Sequence, residues 1–117
     1  SRALNRVQVE QAGDWFLLHT SASTHEGVVA RSLLAAGADV ALVVRKTKDE
    51  VRLVSRAGRR AVREGVNLGG LMDGLASRIG GDGGGHPGAA GWSGDVPDIT
   101  AQSGFIADLS ATRREGW

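Results

Sequence analysis

No cysteine occurs among the 117 residues. A disulfide scaffold, a thiolate zinc finger and a thiol nucleophile are therefore excluded together, and the usage fits a reducing cytoplasm. Proline appears twice, so no polyproline linker runs through the chain. Tyrosine is absent, and three tryptophans with two phenylalanines are the only aromatics. That leaves little for a base-stacking platform unless Trp92, just after a glycine-rich stretch, serves as one. Apolar runs stop well short of a membrane span and no secretory leader pattern opens the sequence, so no membrane partner is expected. An initiator methionine is missing as well. The chain opens on Ser1, as a piece excised from a longer protein would.

What remains is the composition of one globular domain. Apolar residues make up 41% and charged residues 23%, which at 12.1 kDa supports a core that needs no staples. Fourteen basic against thirteen acidic side chains leave a net charge of +1, so bulk charge names no partner. Its distribution says more. Arg52, Arg56, Arg59, Arg60 and Arg63 follow one another with no acid between them, forming either a phosphate-attracting patch or a solvated face. Glycine is uneven too, since twelve of 18 lie between Gly65 and Gly94.

Punctuation divides the chain into short elements. Residues 4–10 read as a strand or the end of a linker, and residues 15–20 as a buried strand. Ser23 and Glu26 have the spacing of a capping box. It predicts a helix over 24–36, with Val29, Leu33, Leu34 and Ala36 as its buried stripe and Gly37 as a left-handed C′ residue. Residues 38–44 read as a buried strand and 51–55 as its antiparallel partner, joined by a polar hairpin loop. A short helical turn is expected at 59–64. Asn67 then caps a helix in which Leu68, Leu71, Met72, Leu75 and Ile79 keep the i, i+3, i+4, i+7 spacing. Gly69, Gly70 and Gly74 weaken that helix unless close approach to a neighbour requires them. A glycine loop at 80–91, a short strand near 90–93, and a last helix opened by Pro97 with Ile99, Ile106 and Leu109 inward complete the order. From Trp15 onward this is β-α-β-β-α-β-α, an α/β domain with a mixed sheet of about five strands flanked by helices. A ferredoxin-like split βαβ is the simplest topology for it.

Residues 80–91 read GGDGGGHPGAAG. Consecutive glycines permit positive φ and bring N–H groups close to a ligand, so Gly83, Gly84 and Gly85 can form an anion-binding nest with His86 at its end. Pro87 pre-sets a tight turn. The competing reading is a flexible linker with an incidental histidine, which sits badly with the compact Pro-Gly-Ala-Ala-Gly that follows. Nucleotide-loop fingerprints do not match. No lysine follows Lys48, and the run comes after a helix where a dinucleotide fingerprint comes after a strand.

Gly83 to Gly91, GGGHPGAAG, resembles the signature of the DHHA1 domain, the substrate-binding C-terminal domain of DHH-family phosphoesterases. Members include RecJ-type single-strand exonucleases, oligoribonucleases and cyclic dinucleotide phosphodiesterases. The stretch ending in Ser55 and Arg56 is similar to the family's strand ending in Ser-Arg, and residues 21–27 with the helix after them look most like archaeal RecJ-like members. The resemblance runs over residues 15–100, with 1–14 a linker or first strand of the same DHHA1-like domain. It implies that Gly83, Gly84, Gly85 and His86 contact a phosphate or terminal nucleotide. Arg56, with Ser55 beside it, is implied to bind nucleic-acid phosphate or base. Arg59, Arg60 and Arg63 either extend that surface or form a solvated face. The implied partners are single-stranded nucleic acid, an oligonucleotide or a nucleotide phosphate, together with a DHH catalytic domain of the same chain.

Catalysis is expected elsewhere. The family's catalytic domain holds two divalent metals on clustered aspartates and histidines, including an Asp-His-His motif, and Mn2+ or Mg2+ is expected there and no cofactor here. In this sequence His19, His25 and His86 stand apart and no D-x-D precedes them, so the donors for a two-metal site are missing. His19 and His25 read as structural, although His25 at a positive helix N-terminus is placed to approach an anion. The expectation is a non-catalytic domain that positions a phosphate for metal-dependent hydrolysis in a missing N-terminal domain. The alternatives are a stand-alone single-strand-binding module and a tRNA-binding appendage of alanyl-tRNA synthetase type. The His-Pro-Gly-Ala-Ala-Gly ending departs from the glycine run usual in the latter.

Overall fold

A computed structural model describes residues 6–116, so part of the reading for 4–10 lies outside the described residues. Strand β1 (Gln8–Ala12) turns at Gly13, where φ is 60°, into β2 (Trp15–Ser21), its antiparallel partner. Helix α1 (Glu26–Ala35) crosses over to β3 (Val40–Lys46), and β4 (Val51–Ala57) returns antiparallel to β3. The short α2 (Arg59–Arg63) and the longer α3 (Leu68–Ile79) lead into a hairpin of β5 (Asp82–His86) and β6 (Ala89–Gly94). Helix α4 (Asp98–Ala111) follows.

The sheet is mixed and six-stranded, in the order β1-β2-β3-β4-β6-β5. It has one more strand than expected, because residues 82–86 are strand and not loop. The split topology is also corrected: β2 and β3 are direct parallel neighbours, with no strand between them. A helical crossover such as α1 suffices to connect adjacent parallel strands. Strand β3 is buried along Val40, Ala41, Leu42, Val43 and Val44, as a continuous apolar run flanked by strands and covered on both faces should be.

Helix α1 starts at Glu26, two residues later than the capping box predicts, and no side chain caps it. The reason is long-range. The Glu26 carboxylate lies 3.6 Å from the Arg45 guanidinium, and His25 occupies the N-cap in the left-handed region at φ 57°. Its far end matches expectation, with Gly37 at φ 114°. The Gly37 and Ala38 N–H groups donate to the Leu34 and Leu33 carbonyls, the paired bonds of a Schellman cap. Ala30 and Leu33 are buried, Val29 and Leu34 are half-buried, and Ala36 is exposed against expectation.

Asn67 caps α3 as predicted, its Oδ1 accepting from the Gly70 N–H at 3.1 Å. Replacing it with alanine should cost about 1 kcal/mol in urea unfolding. In α4, Pro97 is the N-cap and Ile99 is 64% exposed. The inward stripe is Ala101, Phe105 and Leu109, with Ile106 packed at its margin.

The sheet separates two cores. On one face, Trp15, Leu17, Leu42, Leu53 and Trp92 pack with α3 and α4 through Met72, Leu75 and Phe105. On the other, Leu18, Ala41 and Val43 are covered by Ala30 and Leu33 of α1. Helix α1 packs on β2, β3 and β4. Among the described residues no helix packs on the β6 and β5 end of the α1 face.

Candidate nucleic-acid interface

Side chains alternate along a strand, so the register of β4, β6 and β5 sorts their residues into rows. Val54 stands opposite Gly91, and Gly91 opposite Gly84. Arg52, Ser93 and Asp82 form the row on one side, and Arg56, Ala89 and His86 the row on the other. All nine belong to one face of the sheet, with Val54 of β4 packed at the edge of the α1-side core and the β6 and β5 residues on its open end. At about 3.3 Å per residue the flanking rows stand about 13 Å apart, and the row between them has two positions without a side chain.

The glycines divide by face. A Cβ on Gly83 would run into the Met72 carbonyl and the Trp92 ring, and one on Gly69 into the Gly85 carbonyl. Backbone of α3 therefore lies directly on β5, which is the close approach that Gly69 was expected to serve. Gly84 points the other way and has no atom within 4 Å of the position its Cβ would take. The geometry is not the expected nest. Of the three consecutive glycines only Gly85 has positive φ, 142°, and all three are strand residues.

Arg56 and His86 share the open face, whereas Ser55 does not. Its side chain is buried on the opposite face, where its hydroxyl donates to the Ala90 carbonyl at 2.9 Å and ties β4 to β6. Adjacent strand residues cannot both face a ligand on one side of a sheet. Among the described residues, no side chain forms an ion pair with Arg52, Arg56, Asp82 or His86. Arg59 and Arg63 flank a shallow apolar depression with Val62, Pro87 and Gly88, while Arg60 pairs with Glu64 at 3.3 Å. Trp92 is removed from the site. Its indole is buried under α3 and its Nε1 donates to the Gly80 carbonyl at 2.9 Å.

Sequence reasoning placed Arg52 in the arginine cluster without assigning it to the site, and missed Asp82 and Gly91 as members of this face. The signal for Arg52 was present, because it precedes Arg56 by four residues in one strand. Asp82 and Gly91 acquire a place only through the β5 strand. His19 is buried and structural in its contacts: Gln102 Nε2 donates to its Nδ1 at 3.1 Å, and its Nε2 is 3.5 Å from the Glu10 carboxylate. His25 is exposed at its helix N-cap.

Among the described residues no three His, Cys, Asp or Glu side chains gather to hold a metal ion. The donor set does not fit a two-metal centre. No helix of the described residues is long and apolar enough to cross a membrane.

The family model for the DHHA1 domain matches residues 17–108. An uncharacterized protein of Methanocaldococcus jannaschii is 36% identical over 92 residues, covering 77% of this chain and 28% of that protein. The chain thus spans little more than a quarter of the curated relative's length. Among solved structures, the C-Ala domain of Aquifex aeolicus alanyl-tRNA synthetase superposes with a TM-score of 0.69 at 22% identity, over 89% of this chain and 99% of that one. A pGpG-specific phosphodiesterase of Vibrio cholerae superposes with a TM-score of 0.65 at 16% identity, over 94% and 37%. Identities this low establish a common fold.

Proposed function

The chain belongs to the DHHA1 domain family, and from that membership we propose that it is the substrate-holding part of a DHH-family phosphoesterase of RecJ-like or oligoribonuclease type, acting in the cytoplasm on short single strands. The observation that carries this reading is the open face itself. Arg52, Arg56 and His86 lie on one sheet face, Arg52 and His86 exposed and Arg56 half-buried, with bare glycine between their rows. Among the described residues the Arg52 and Arg56 guanidiniums have no ion-pair partner and are available to phosphate oxygens, and charge-assisted bonds to phosphate are the strong kind. A guanidinium adds a planar fork that matches two of those oxygens. Ser55 acts from the other face, holding β4 against β6 so that Arg56 and the Ala89–His86 end keep their spacing.

Hydrolysis belongs to a DHH domain of the same protein, which holds Mn2+ or Mg2+ on its own residues. This domain's contribution is position. Fixing a phosphate on Arg56 and His86 sets which linkage of the strand reaches the reacting centre, and orientation of that kind supplies a large part of a barrier reduction. Arg59 and Arg63 lead the strand away past Pro87 and Gly88. A structural neighbour that is a pGpG-specific phosphodiesterase supports a nucleotide-phosphate ligand.

Binding by the chain alone rests on two or three charge-assisted bonds against the entropy of association, so affinity lies between micromolar and millimolar. Titration of the chain with 5′-phosphorylated short single strands, followed by NMR, tests the reading. Arg56→Ala should weaken binding by about 1.5–3 kcal/mol. Unchanged affinity would return Arg56 to a solvated surface, and tighter binding of folded tRNA than of single strands would favour the synthetase-type alternative.

A further inference from the structure

Asp82 is an acid on a face otherwise made of cationic, small and apolar residues. A carboxylate repels the phosphate that Arg56 and His86 attract, unless the ligand brings hydrogen-bond donors to the carboxylate's end of the surface. We propose that a nucleobase lies flat on Gly84 and Gly91 and that Asp82 selects guanine. This rests on the phosphate reading above and names the base that accompanies the phosphate.

The geometry separates two ends of a nucleotide. Arg52, Val54, Asp82, Gly84, Gly91 and Ser93 line a depression of about 300 Å³, and the Arg56–His86 row borders it. With no side chain at Gly84 or Gly91, a planar ring can rest on the strand backbone. A phosphate on the Arg56 row then directs the base edge toward the row of Arg52, Ser93 and Asp82. Asp82 has no ion pair with another described residue, so its carboxylate is available to accept.

Guanine presents N1–H and an N2 amino group side by side, and a carboxylate accepts from both. On the same edge its O6 accepts from Arg52 or Ser93. Adenine and cytosine turn a ring-nitrogen lone pair toward the carboxylate, which repels it. Uracil offers one N–H. The order of preference is therefore guanine, then uracil, then adenine and cytosine.

The test is an NMR titration of the 117-residue chain with GMP and AMP. GMP should bind about tenfold or more tighter, the discrimination that a bidentate base contact provides. Asp82→Asn, an exposed hairpin position, should bring the two affinities close together, and Arg56→Ala should weaken both alike. Equal binding of GMP and AMP by the unaltered chain overturns the guanine assignment while leaving the phosphate reading intact. Failure of both nucleotides to shift any resonance overturns the two together. Gly84→Val supplies an independent arm: it should weaken both nucleotides while inorganic phosphate still shifts His86. Undiminished nucleotide binding in that variant overturns the glycine ledge.

Discussion

Gly83→Val should destabilise the domain by about 3 kcal/mol, whereas Gly84→Val, one residue along the same strand, should change stability by less than about 0.5 kcal/mol. The two glycines face opposite ways. A side chain at 83 points into the Met72 carbonyl and the Trp92 indole, and Met72 is buried in α3. Relief requires α3 to lift from β5, or Trp92 to give up its bond to the Gly80 carbonyl. Neither adjustment is a rotamer change. At 84 the added atoms enter open space with no positive φ to strain them, and valine suits an extended backbone better than glycine does. Urea unfolding of the pair, with unchanged slopes, checks this. Equal losses would mean that the strand is rotated from the register described, and would take the bare ledge of the ligand face with it.

This pair also shows why the glycine run is hard to read in a sequence. Glycine has the weakest case of any non-proline residue for a strand interior, so GGG reads as loop or nest. Its strand is imposed by tertiary structure. Helix α3 comes so close that only glycine fits at 69 and 83, the hairpin's own Ala89 and Ala90 leave no room for a side chain at 85, and the hairpin then pairs with β4 through β6. Where local chemistry is self-sufficient, the sequence reading matches the structure. Asn67 caps α3, Gly37 ends α1, and the β3 and β4 hairpin is flanked by alternating or continuous apolar residues. Where a distant partner decides, the reading fails. Glu26 turns to Arg45 and abandons the capping box, and the frame of α4 is set by Phe105 in the core, which leaves Ile99 outside.

The candidate site follows the same division. Arg56 and His86 were legible from residue type and motif, and the structure brings them to opposite strands of one face, both across from Ala89. Ser55 was named by adjacency to Arg56, although alternation along a strand already separates the two. Arg52 shares strand parity with Arg56, but Gly91 and Asp82 needed the register of three strands, which no local pattern supplies. A phosphate end was therefore visible in the sequence, and a base end became visible only with the fold.

The largest electrostatic effect on stability is expected at Arg114, beyond the residues matched by the family model. After α4 the chain turns back over the start of β2. The Trp15 Nε1–H donates to the Thr112 carbonyl at 2.7 Å, and the Arg114 N–H donates to the Asp14 carboxylate at 2.9 Å. The Arg114 side chain meets Glu64 at 2.9 Å and Asp39 at 3.2 Å while lying 4.4 Å from the centroid of the Trp15 ring. Asp39 in turn accepts from the Phe16 N–H at 2.8 Å. One guanidinium thus joins the end of α2, the approach to β3 and the first residues of β2. Removing one member of a fully buried charge pair costs about 3–5 kcal/mol, but these groups retain some solvent contact, so Arg114→Ala should cost about 2 kcal/mol. Arg114→Lys should recover less than half of that, because a point charge cannot span two carboxylates and stack on an indole at once. Urea midpoints of the three proteins measure both values. Nucleotide binding per folded molecule should be unchanged, since none of these residues lies on the face formed by β4, β6 and β5. A loss below about 0.5 kcal/mol would place Arg114 among ordinary surface pairs.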